Sequence, residues 1–356
     1  MQVLRILFVI SHGIKKLLDI MPGKRHKKTI LLLTVGALLA VAAAVAVSLL
    51  LPESARGMRR CAVVVECEEW NEVSINGIPT LYFLSADADT ALVRLTLHRD
   101  TATHRHWSAG CWVGEWPVIP SCHGRIATLE AHGGTPALRA KADVGALCRK
   151  AVEQKLATLK GQSAELAYYL RVHGVQDEGY QQVAALARRV EQDYTDCRRM
   201  REILDSVGAK ARFTTAHRRS FTAIYRDTAS HIRRTPCTLL ASDAARRTLL
   251  LQTADGTTPS GAHAVMPLPW NCGGKGEMRM AGFGGLGVRG LECDTVGVSI
   301  VAGRRSADGI HDIPDILAPD GSAVFTARGL FIGLKSGDGM VPRADLRRLF
   351  GKEARR

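Results

Sequence analysis

Four histidines, His98, His104, His106 and His123, fall within 26 residues. His104 and His106 are two apart, which on a strand puts both imidazoles on one face, where a zinc ion could be held. No Cys-x-x-Cys or carboxylate pattern stands beside them, so no metal is expected. Gly282-Phe-Gly284-Gly-Leu-Gly287 has the glycine spacing of a dinucleotide-binding turn. Val288-Arg-Gly-Leu does not open a helix and no βαβ unit surrounds it, so the run reads as a glycine-rich β turn and no cofactor is expected.

An ordered series of short motifs carries more chemistry. Gly110-Cys-Trp-Val113 is followed by Val118-Ile-Pro-Ser-Cys-His123-Gly, then by Thr248-Leu-Leu-Leu-Gln252 and Met280-Ala-Gly-Phe-Gly284. Thr295-Val-Gly-Val-Ser299, Asp320-Gly-Ser-Ala-Val-Phe325 and Arg328-Gly-Leu-Phe-Ile-Gly333 complete the series. In this order the motifs resemble those of trypsin-like serine peptidases. The stretch from Glu165 to Tyr180 resembles the helical insert of membrane-anchored bacterial trypsin-like peptidase-domain proteins.

That family needs a hydroxyl nucleophile, an imidazole to take its proton, a carboxylate to hold the imidazole, and backbone N–H donors for the oxyanion. The resemblance puts the imidazole on His123. The residue ahead of the Thr248-Leu-Leu-Leu strand is Arg247, and the nearest acid is Asp243, four positions upstream of it. Aligned without a gap on Val324-Phe325, the family's serine falls on Asp320, its preceding glycine on Ala318 and its proline on Ala323. A two-residue deletion would bring Ser322 to the nucleophile position. The resemblance therefore implies a degenerate, inactive serine peptidase acting as a binding or scaffold module. One alternative is an active serine endopeptidase using His123, Asp243 and Ser322. Another is an envelope interaction protein working through a helical hairpin.

The elements that must position these residues are mostly strands. Alternating or short apolar runs at 61–67, 73–78, 80–84, 91–97, 108–113 and 118–122 read as β, with a turn at Asn76-Gly77. The period changes over about 135–209, where Val144, Cys148, Val152, Leu156 and Leu159 keep helical spacing. Val183, Val190, Cys197 and Leu204 then recur seven apart. Two helices with Gly174 as a stop and Asp177 as a cap make an antiparallel hairpin. Cys148 and Cys197 would face each other across it, as a disulfide or as two buried thiols. Strands resume at 221–225, 237–241, 249–252, 278–283, 296–302, 323–326 and 330–334. Taken alone, that pattern means a sandwich or a pair of barrels. With the resemblance, it implies a mainly β, trypsin-like double β-barrel with an inserted helical hairpin, preceded by a single transmembrane helix.

The membrane segment is residues 29–51, 23 residues without charge or proline, long enough to cross a bilayer core. Lys24, Arg25, Lys27 and Lys28 precede it, so the N-terminus is expected in the cytoplasm and the remainder in the periplasm of a bacterial inner membrane. Residues 1–20 read as a short amphipathic stretch, or the chain starts at Met21. The net charge of +14 sits mainly at the ends, +6 over 1–28 and +4 over 343–356. With aromatics at 5%, that distribution excludes a nucleic-acid-binding domain. The expected partners are the membrane and a peptide or protein ligand. The divisions are a basic segment (1–28), the transmembrane helix (29–51) and a short-strand region (52–106). The trypsin-like domain (107–340) with its hairpin insert (136–208) and a basic tail (341–356) follow.

Overall fold

The computed structural model describes residues 52–87, 91–114, 123–130, 143–208, 210–267, 276–286, 297–306 and 308–353. The expected transmembrane helix over 29–51 and the strand over 118–122 lie outside the described residues. Among the described residues, no helix is long and apolar enough to cross a membrane.

A short helix, α1 (Ala55–Cys61), is capped by Ser54, whose hydroxyl accepts from the Gly57 N–H at 3.1 Å. It leads into β1 (Ala62–Ile75), a single strand where two were expected, because Glu66, Glu69, Asn71 and Glu72 are buried and continue the strand through its polar middle. Asn76 and Gly77, both at positive φ, turn it into β2 (Ile78–Phe83), with Ile75 opposite Ile78. A two-stranded sheet, β3 (Ser85–Asp87) and β4 (Ala91–Val93), follows. Then come β5 (His104–Trp112) and β6 (Arg125–Leu129), paired with Gly110 opposite Thr128.

The helical period produces α2 (Val144–Val172) and α3 (Tyr180–Ser206). Asp143 caps α2 by accepting from the Ala146 N–H at 3.1 Å. Asp177 does not cap α3: its carboxylate accepts from the Gly174 N–H at 2.9 Å inside the turn, and Gly179 in the left-handed region begins the helix. Cys148, Val152 and Leu159 of α2 and Val190, Cys197, Met200 and Leu204 of α3 form one core with Val73, Ile75, Leu81 and Phe83. Burial of each such side chain contributes about 1.5–3 kcal/mol, and this packing holds the hairpin more than helix propensity does. Cys148 and Cys197 are free thiols, and Cys197 Sγ points to the Val152 carbonyl at 3.6 Å.

After the hairpin come β7 (Phe213–Arg226), β8 (Ile232–Asp243) and β9 (Thr248–Thr253). The sheet order is β2-β1-β5-β6-β9-β8-β7, and β7 pairs back to β1, closing a six-stranded barrel with β2 outside the ring. Barrel closure leaves those six strands no free edge. β1 therefore shares a sheet with strands that the sequence division at 106 had separated from it.

The remaining strands are β10 (Gly276–Gly282), β11 (Ser299–Arg305), β12 (Ala323–Thr326), β13 (Phe331–Ser336) and β14 (Gly339–Pro342). They form a sheet in the order β11-β10-β12-β13-β14. Among the described residues these five strands pair in that order without closing; residues 268–275 and 287–296, on which closure of the expected second barrel also bears, lie outside them. The C-terminal helix α4 (Arg343–Glu353) buries Leu346, Leu349 and Phe350 in a core shared with Phe325, Phe331 and Leu334. The chain forms two compact units, one of residues 1–66, 107–131 and 221–356, the other of residues 67–106 and 132–220.

Candidate functional site

β6 is the ruler against which the sequence-derived residues are placed. It pairs with β9 so that Arg125 lies opposite Gln252 and Leu129 opposite Thr248. His123 stands before the first of these pairs: its carbonyl accepts from Gln252 Nε2 at 3.0 Å, and the Gly124 carbonyl accepts from the Thr253 N–H at 2.9 Å. The His123 ring is half-buried and its Nε2 has no hydrogen-bond partner.

Asp243 belongs to the other end, opposite Thr248 in the β8–β9 pair. Arg247 follows a short 3-10 turn there, in the left-handed region at φ 53°, and its carbonyl accepts from the Glu130 N–H at 2.7 Å. The Arg247 guanidinium also donates to the Glu130 carbonyl. At the strand rise of about 3.3 Å, Arg125 to Leu129 alone is roughly 13 Å. His123 therefore lies beyond hydrogen-bond reach of Asp243, and the three residues do not assemble into a triad.

The loop ahead of β12 comes to the same end as Arg247. The Asp320 carbonyl accepts from the Ala109 N–H at 3.3 Å, and Ala109 is next to Gly110, the partner of Thr128. Thr128 Oγ1 donates to the Ala109 carbonyl at 2.6 Å. The Asp320 carboxylate accepts from the Gly337 N–H at 2.6 Å and lies 4.0 Å from Arg247 Nη1. The two residues standing at the resemblance's nucleophile and carboxylate positions thus pair with each other.

Ser322 is fully buried, and its hydroxyl donates to the Pro319 carbonyl at 2.6 Å. Gly282 packs so closely that an added Cβ there would lie 2.3 Å from Ser322 Oγ. Three backbone donors of the loop are also engaged. The Ala318 N–H bonds to the Pro314 carbonyl at 3.2 Å, Gly321 to Lys335 at 2.9 Å, and Ser322 to Pro319 at 3.1 Å. None of these three N–H groups is aimed at an incoming oxyanion, the arrangement acyl transfer requires.

Sequence reasoning did not anticipate the pairing of Arg247 with Asp320; the opposite charges at two mismatched motif positions were its only signal. Nor did it anticipate a cavity of about 330 Å³ bordered by Arg56, Arg59, Arg60 and Arg226, with Trp112 and Tyr225 in its wall. The two aromatic rings meet edge to face at 5.7 Å, and Trp112 Nε1 is buried without a partner. Asp227 also borders the cavity, but Arg233 bonds its carboxylate at 2.9 Å.

No family model matches the chain, and no curated protein does. Among solved structures, a crystal structure of Deg5 is 9% identical and covers 82% of this chain and 88% of its own, with a TM-score of 0.35. The apo crystal structure of the MamO protease domain from Magnetospirillum magneticum is 10% identical and covers 80% of this chain and 93% of its own, with a TM-score of 0.32. At those TM-scores neither likeness bears on the fold or the chemistry of this chain.

Proposed function

We propose that this chain is a trypsin-like-fold protein without peptidase activity, anchored in a bacterial inner membrane by residues 29–51, whose periplasmic part is a binding or scaffold module. The fold reading is supported by the closed six-stranded barrel and by the order in which the motifs fall on it. The glycine-led motif lies on β5, the Thr-Leu-Leu-Leu motif on β9, and the later motifs on β10, β12 and β13.

The observation that carries the loss of activity is the Arg247–Asp320 pair, a cation and a carboxylate where the resemblance would have a carboxylate and a nucleophile. Loss of one member of such a triad commonly costs about 10⁴-fold in turnover, and here two are replaced. The reading in which Ser322 is the nucleophile is disfavoured by its burial and its bond to Pro319. The arginine-bordered cavity suits a ligand carrying carboxylates, such as an acidic peptide segment, because the guanidinium fork matches that group.

The test is an active-site fluorophosphonate applied to the purified full chain, with hydrolysis of peptide ester substrates followed in parallel. No labelling and no turnover above buffer are expected. Labelling that maps to Ser322 would overturn the proposal.

A further inference from the structure

We propose that Cys67, Glu69 and His106 form a zinc site. Cys67 and Glu69 are two residues apart on β1 and therefore project from the same side of the strand. His106 is on β5, the neighbour of β1 in the sheet. One ligand atom from each lies within 4.8 Å of the others, and Cys67 Sγ to Glu69 Oε1 is 3.9 Å.

The second observation is the state of the carboxylate. Glu69 is only 3% exposed, and its Oε2 is buried with no hydrogen-bond partner. A buried carboxylate oxygen without a donor is costly, and a divalent cation bound between the three groups supplies the missing compensation.

The donor set chooses the metal. One thiolate, one imidazole and one carboxylate suit Zn²⁺, whereas Ca²⁺ and Mg²⁺ take oxygen ligands. Tetrahedral zinc at its usual bond lengths brings ligand atoms to about 3.5 Å from one another, so the cluster must close by about 1 Å at its widest. His106 is half-buried, whereas Cys67 and Glu69 are buried, so the closing movement falls to the imidazole. Water completes the fourth position, and the ion ties β1 to β5. Binding deprotonates the thiol, so affinity rises with pH.

The test uses the full chain in detergent, stripped with chelator and reloaded with Zn²⁺. One zinc per chain by elemental analysis is expected, with Cys67→Ser, Glu69→Gln and His106→Ala each weakening binding by about tenfold or more. Cys237→Ser should bind as the wild type does. Zinc should also slow alkylation of Cys67, mapped by peptide mass spectrometry on the wild-type chain, by about tenfold, a readout independent of whether the variants fold. Less than stoichiometric zinc in the wild type, an unchanged Cys67 alkylation rate, or full affinity in a folded Cys67→Ser chain would each overturn the proposal.

Discussion

Arg247 Nη1 lies 4.0 Å from Asp320 Oδ2, and the two side chains are 28% and 25% exposed. The pair bridges the turn before β9 and the loop before β12, and the Arg247 guanidinium also reaches the Glu130 carbonyl. A long, partly solvated ion pair of this kind is worth about 0.2–1 kcal/mol, so its place in the fold matters more than its strength.

Reverting the two positions therefore restores no chemistry. Arg247→Asp combined with Asp320→Ser places a carboxylate and a hydroxyl where the resemblance has them. The Ala318 N–H remains bonded to Pro314, and His123 stays at the far end of β6. The double variant is expected to hydrolyse activated peptide esters no faster than the wild type. An acyl-enzyme burst in stopped-flow assays would show that the loop can rearrange into a working site.

How tightly that loop is held can be read from two glycines. Gly321 has φ +88°, and a Cβ there would stand 2.0 Å from the Ala109 carbonyl oxygen. Gly337 also has positive φ, but an added Cβ meets nothing within 4 Å. Gly321→Ala should cost roughly 3 kcal/mol or more, combining backbone strain with steric overlap, and Gly337→Ala only about 1–2 kcal/mol. Urea unfolding of the two variants checks the ordering, and equal costs would mean that Asp320–Ser322 is not docked against β5.

Local pattern made much of the fold legible. The seven-residue recurrence from Val183 to Leu204 becomes α3, Asn76-Gly77 becomes the β1–β2 turn, and β12 occupies the expected 323–326. The site was less legible because its parts meet only through strand register. Arg247 and Asp320 are far apart in sequence, and nothing local to either announces the other. Cys67 and Glu69 are on a different strand from His106, outside the short ligand spacings by which zinc sites are read. The strand over 118–122 that the motif puts ahead of His123 lies outside the described residues, and the next strand begins at Arg125. The helix boundary at Asp177 failed for a nearer reason: its carboxylate has a competing donor in the Gly174 N–H.

Alkaline pH should open the helical hairpin. Cys148 is fully buried, and burial pushes its thiol up to about 12. In the unfolded chain the thiol ionises near its ordinary value of 9.0. Between these values the unfolded state has lost a proton that the folded state keeps, so stability present below about pH 9 declines as pH rises. The slope for one thiol is about 1.4 kcal/mol per pH unit. Helical circular dichroism in moderate urea should fall between pH 9 and 11, and Cys148→Ala should flatten that loss. An unchanged slope in the variant would assign the transition to other groups.

Acid should act on the five-stranded sheet through His311. This residue is 7% exposed, and its Nδ1 accepts from the Ile313 N–H at 3.3 Å. An accepting Nδ1 fixes the neutral tautomer, because a proton there would face the Ile313 N–H. Burial, with the nearby Lys335 charge, holds the imidazole below its ordinary value, while Asp338 and backbone bonds near Gly337 and Gly339 oppose the shift only in part. As pH falls below about 6.5 the unfolded chain takes up a proton before the folded one, so stability present above that value is lost. Urea midpoints should therefore drop from pH 7 to pH 5, and His311→Gln should remove part of that drop while lowering the midpoint at pH 7. If the variant kept the full acid dependence, His311 would not be its source, and neither would Asp227 and Asp255, whose carboxyls are held below their ordinary range by hydrogen bonds that include Arg233 and Thr257 and therefore lose their contribution only below about pH 5.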